Sequence, residues 1–148
     1  MKPKGKFWTA SSITLTVAGV TLIVVGLYFI LLRPPLLPED MRYMALPPDR
    51  LDIIRPRLEA WLTQVFRVMG GYVLATGVLT ITIASTSFRA HHPYAAIGAL
   101  LGGFASIGLM AAVNFVLDSD FKWVLLGIAI LWGSSLALFW HETKSQRA

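Results

Sequence analysis

Tyr94–Leu117, YAAIGALLGGFASIGLMAAVNFVL, runs twenty-four residues without one charged side chain. At 1.5 Å per residue a helix of this length crosses a hydrocarbon core of roughly 30 Å. Hydrocarbon offers no partner to a free backbone N–H or C=O, so such a run crosses as a helix. A strand of a membrane β-barrel would instead show about ten residues of alternating polarity. This run has no such alternation.

Three further apolar runs lie outward from it, at about 7–32, 64–87 and 121–140. The second is apolar from Val68 and has a helical lead-in from Leu58. None of the four contains an acidic residue. The first begins beside Lys2, Lys4 and Lys6, like a secretory signal, but its apolar run far exceeds the usual core of about 7–15 residues. It ends at Arg33-Pro34-Pro35 without a small-residue cleavage pattern, so it reads as a retained span. The expectation is an all-α fold, one domain over 1–148, an integral membrane four-helix bundle with a structured loop over 33–60.

Composition agrees. Hydrophobic residues make up 55% of the chain and charged residues 14%, too few charges for a soluble domain of this size. The net charge of +5 comes from basic residues at the ends of apolar runs, where headgroups lie, and not from a patch for nucleic acid. No cysteine is present, which excludes disulfides, thiolate metal sites and thiol catalysis.

In the first loop, Pro34, Pro35, Pro38, Pro47, Pro48 and Pro56 are expected to break any long helix, with at most a short one from Asp49 to Ile54 capped by Asp49. The later links, Phe88–Pro93 and Asp118–Asp120, are short enough to make the second, third and fourth spans antiparallel neighbours. An even number of spans places both termini on one side. Basic residues are nearly balanced between the sides, and the densely basic start of the first span favours cytoplasmic termini, in a bacterial inner membrane.

Small residues recur at helical spacing: Gly98, Gly102 and Ser106 in the third span, Gly71 and Ala75 in the second, and Gly133 in the fourth. They let helix backbones approach closely, either inside one bundle or against another copy or protein. Trp8, Trp61, Trp123 and Trp140 lie near helix ends as an interfacial belt, while Trp132 lies deeper, facing lipid or a cavity.

Chemistry is scarce. Arg67 either snorkels or pairs with a loop acid, or forms an anion or headgroup site. Asn114 suits an interhelical hydrogen bond, and the hydroxyls of Thr9 to Thr21 suit bonds back to their own helix. His91, His92, His141 and Glu142 share one membrane surface, but no spacing among them fixes a metal site. No nucleotide loop, nucleophile constellation or intramembrane carboxylate pair is present, so no catalytic residue, metal or cofactor is expected.

Two stretches, Leu37-Pro38-Glu39-Asp40-Met41-Arg42-Tyr43-Met44 and Val65-Phe66-Arg67-Val68-Met69-Gly70-Gly71-Tyr72 with Ala75-Thr76-Gly77, together with the four-span layout, resemble small uncharacterised bacterial membrane proteins broadly similar to the DoxX-like group. The resemblance implies a four-helix bundle and no established activity. It singles out Glu39, Asp40, Arg42, Tyr43, Arg67 and Tyr72 as a ligand-binding cluster, formed if the loop folds over the second span. The sequence thus points to a non-catalytic accessory or self-associating membrane protein, with binding of a lipid, quinone or other hydrophobe as the alternative. Its expected partners are the lipid bilayer and either further copies or a larger membrane complex, with no nucleic acid.

Overall fold

The computed structural model describes residues 8–45 and 47–146, apart from the side chains of 48–51. Lys2, Lys4, Lys6, Phe7 and Arg147 lie outside the described residues. No strand occurs among those described. Four helices are long and apolar enough to cross a membrane. They are α1 (Ala10–Leu31), α3 (Pro48–Ile83, continued by a π turn over Ala84–Phe88), α4 (Pro93–Val116) and α5 (Lys122–Ser145), with a short helix α2 (Pro38–Met44) in the first loop. Only 22–28% of each apolar span is buried. The remaining apolar surface faces outward, and water is the wrong solvent for it.

The tightest contact is between α1 and α3, and four glycines make it. A Cβ at Gly26 would lie 2.6 Å from the Leu74 nitrogen, and one at Gly70 would lie 2.7 Å from the Gly26 carbonyl oxygen. Two turns along, a Cβ at Gly77 would lie 2.7 Å from the Gly19 carbonyl oxygen. In lipid, where apolar surface gains nothing by leaving its solvent, this backbone proximity supplies the dispersion that holds helices together.

α1 also packs on α5, and α5 packs on α4. α3 and α4 touch little despite their short link, so the expected row of three neighbours is corrected: α1 occupies the place beside α3. The α4–α5 contact centres on Trp132, whose indole N–H donates to the Ala99 carbonyl at 2.9 Å. Its ring lies on Gly103, where a Cβ would come within 2.6 Å of Trp132 Cδ1. Trp132 is therefore buried rather than lipid-facing, and it lines the grooves on either side of α4. The next turn of α4, Phe104–Gly108, is π-helical, and Ser106 donates to the Gly102 carbonyl there.

Two expectations about the first loop fail. The helix does not wait for residue 58 but starts at Pro48, with Pro47 as its cap, so Asp49 lies inside it. Pro48 suits the first helical position, where its missing N–H would find no intrahelical partner anyway. Pro56 sits within the helix without ending it. The carbonyl it leaves without a helical partner lies in a stretch, Asp52–Arg57, that is exposed throughout, so surrounding solvent satisfies it.

Gly71, Gly98, Gly102 and Gly133 do not make the bundle's close contacts. A Cβ at any of them meets no atom within 4 Å. Gly77→Ala and Gly26→Ala should therefore lower the stability of the detergent-solubilised chain by roughly 1–3 kcal/mol, the usual cost of overpacking. Gly98→Ala and Gly133→Ala should leave it unchanged or slightly raised. Chemical unfolding followed by circular dichroism compares them.

Candidate functional site

On the side opposite the termini, α2 lies over the turn between α4 and α5. The residue taken inward is Arg33, not Arg67. Its guanidinium stacks 3.4 Å from the Phe66 ring centroid and pairs with Asp40 at 3.3 Å. Asp40 also accepts the Leu37 N–H at 2.9 Å, which closes the start of α2. Glu39 is buried and accepts from the Ser119 hydroxyl at 3.3 Å. Arg42 pairs with Asp120 at 3.3 Å. The Lys122 ammonium, hydrogen-bonded to Asp118, holds that carboxyl below its ordinary value.

Of the six residues expected as one cluster, Glu39, Asp40 and Arg42 are thus consumed in fastening α2. Tyr43 and Tyr72 are exposed at 61% and 74%, and Arg67 is exposed too. Phe66 and Arg67 differ by about 100° around the helix, so the face that meets α1 takes Phe66 and turns Arg67 away. The structure does not assemble a ligand site from the six.

A second polar knot lies at the terminal side. The Glu142 carboxylate accepts the Ser11 N–H at 3.1 Å, the Ser11 hydroxyl at 2.5 Å and His91 Nε2 at 3.2 Å. This geometry requires the His91 tautomer that carries its proton on Nε2, or the doubly protonated ring. His91 holds a left-handed backbone, φ 56°, at the turn after the π segment, and its ring stacks on Phe139 at 5.1 Å. Phe139 also meets Phe88 at 4.6 Å, and Ser12 donates to the Ala84 carbonyl at 2.5 Å. The ends of α1 and α5 and the α3–α4 turn are joined there.

The arrangement differs from that of a nucleophile triad. In a nucleophile triad the histidine stands between serine and acid, whereas here serine and histidine both end on the same carboxylate. Ser11 is fully buried, so no substrate reaches its hydroxyl. His92 lies beside Tyr94 and His141 is exposed. Among the described residues no three His, Asp or Glu side chains converge on a metal position. The knot has one sequence signal: an even span count puts residues 11, 91 and 142 at the same surface.

Other single-residue expectations divide. Thr14, Thr16 and Thr21 donate to carbonyls four residues back in their own helix, whereas Ser11 and Ser12 reach other elements. Asn114 does not bridge helices; its amide donates to the Met110 carbonyl at 2.9 Å. Trp8, Trp123 and Trp140 are exposed near helix ends, whereas Trp61, also exposed, lies well inside α3 because that helix starts at Pro48.

Where α3 and α4 fail to meet, an apolar groove of about 190 Å3 remains. Thr76, Leu79 and Thr80 form one bank, Gly98 and Gly102 the other, and Leu15 and Trp132 line it as well. Its polar atoms are already bonded: Thr76 donates to the Tyr72 carbonyl, Thr80 to the Thr76 carbonyl and Trp132 to Ala99. Gly133 lines a second shallow groove between α4 and α5.

No protein-family model, curated protein or solved structure matches the chain.

Glu142→Ala should leave the Ser11 N–H and the His91 ring without their acceptor in a half-buried place. The expected loss is about 1–3 kcal/mol, more than for Glu59→Ala on the α3 arm. Thermal unfolding in detergent measures both; equal stability of the two variants would contradict the structural role of the knot.

Proposed function

We propose that the protein is a non-catalytic accessory subunit of a larger membrane assembly, placed in a bacterial inner membrane with both termini in the cytoplasm. The observation that carries this reading is the division of its glycines. Gly19, Gly26, Gly70, Gly77 and Gly103 are packed against other elements of the chain, while a Cβ at Gly71, Gly98, Gly102 or Gly133 would meet no other element within 4 Å. A glycine inside a helix costs roughly 1 kcal/mol against alanine, so outward glycines fit a helix that another backbone approaches. The Arg33–Asp40, Glu39–Ser119 and Ser11–Glu142–His91 contacts support the same reading, because they join the chain's own elements. The bacterial setting rests on the resemblance to small four-span proteins of the DoxX-like kind, and the orientation on the basic start of the first span.

Gly98→Leu combined with Gly102→Leu should reduce the size of the complex extracted in mild detergent while the solubilised chain keeps its helix content. A complex of unchanged size and composition would count against the reading.

The α3–α4 groove favours a second reading, a site for the apolar part of a lipid or quinone. It lies apart from the six-residue cluster, whose Arg67 and Tyr72 are both exposed. The volume exceeds that of an engineered cavity of about 150 Å3 known to hold benzene. Extraction in several mild detergents should then carry along a small hydrophobic molecule that Gly102→Phe excludes; its absence from the unaltered protein would remove this reading.

A further inference from the structure

α3 is longer than the bundle around it. Gly26 of α1 lies against Gly70, and Phe29 meets Phe66 at 6.1 Å, so α1 ends level with Phe66. Pro48–Phe66 therefore rises past α1 as an arm of about 27 Å at 1.5 Å per residue. Beside its charged residues the arm exposes large apolar side chains: Ile53 is 84% exposed and Trp61 62%.

One face of α3 carries apolar exposure along nearly its whole length. Ile54, Trp61, Val68, Ala75 and Thr82 recur every seven residues and all are exposed, with Gly71 exposed on the adjacent line. Seven residues is the period of a seam between two supercoiled helices. The line from Ile54 to Thr82 is about 42 Å long, against a hydrocarbon core of roughly 30 Å. A core of that thickness leaves about 12 Å of the line outside the acyl chains. A second helix that crosses beside α3 and continues outward covers all of it. The line is small within the membrane, at Gly71 and Ala75, where close approach replaces the hydrophobic effect, and large outside it, where that effect operates.

Charge decides which helix. Arg57 lies one turn from Trp61 on this face and is exposed. Arg55 is paired with Asp52 at 3.6 Å, whereas no acid among the described residues pairs with Arg57. A second copy related by a two-fold axis would set Arg57 against its own image. A helix with an acidic residue at that level meets it with opposite charge.

We propose that this face of α3 docks one membrane-crossing helix of a different protein, with small residues against Gly71 and Ala75 and an acidic residue outside the membrane against Arg57. The proposal rests on the accessory-subunit reading and names its interface.

The test uses the full chain in phosphatidylcholine vesicles with a synthetic leucine–alanine transmembrane peptide that has a small-residue centre and glutamates at one end. Because the chain lacks cysteine, Lys144→Cys gives a single site for a dye, and energy transfer to a labelled peptide reports binding. The glutamate peptide should bind about tenfold more tightly than its lysine counterpart, with the gap closing at high salt. Arg57→Glu should reverse the order, and Ala75→Leu should weaken both. Equal binding of the two peptides, or an order that Arg57→Glu leaves unchanged, overturns the proposal. So does energy transfer between copies of the chain that the peptide fails to displace. A native complex that survives both Arg57→Glu and Ala75→Leu would overturn this interface and leave the accessory reading standing. Charge-selective peptide binding by a chain that forms no native complex would do the reverse.

Discussion

The backbone contact between α1 and α3 is the constraint on which the rest of the structure depends. Glycines on both sides bring the two helices together at two levels, Gly26 with Gly70 and Gly19 with Gly77. Once α1 occupies that flank of α3, it stands between α3 and α5 and keeps α4 at a distance. The α3–α4 groove, the outward glycines of α4 and the free outer face of α3 all follow from that placement. A side chain at any of the four glycines would meet α1 or α3 atoms at under 3 Å and force the two helices apart.

Polar chemistry is confined to the two ends of the bundle, and there it serves assembly. Arg33, Asp40, Glu39 and Ser119 fasten α2 and the α4–α5 turn; Ser11, His91 and Glu142 fasten the terminal side. Charged and hydroxyl groups used in this way are bonded and partly desolvated, which rigidifies the ends. The spans between them hold few polar atoms, and Trp132, Ser12 and Ser106 spend theirs on backbone carbonyls. What the surface offers a partner is shape and apolar area, with a small number of exposed guanidinium groups at one end.

The four spans were legible in the sequence because an uncharged run of some twenty residues has one solution in lipid, and Tyr94–Leu117 states it without ambiguity. Which residues face which was less legible. Gly70 and Gly71 are adjacent, and only one can face α1; spacing by four singled out Gly71 with Ala75, while the contact uses Gly70, seven residues from Gly77. Pro56 reads as a break because proline removes a helical hydrogen bond, yet in an exposed arm that loss is tolerated. The neighbouring residues Phe66 and Arg67 carried the same trap, and the arginine that is taken in is Arg33, from the end of the preceding helix. The Ser11–Glu142 bond joins residues 131 positions apart, and nothing local announces it.

The outward faces of this bundle are proposed to belong to an assembly. Native mass spectrometry of the protein drawn from its own membranes in a mild detergent tests it most directly. The 16.3 kDa chain should appear in a fixed ratio with at least one other protein, and raising the collision energy should release it still folded and free of further copies. A spectrum containing only the bare chain, or only multiples of its own mass, would contradict it.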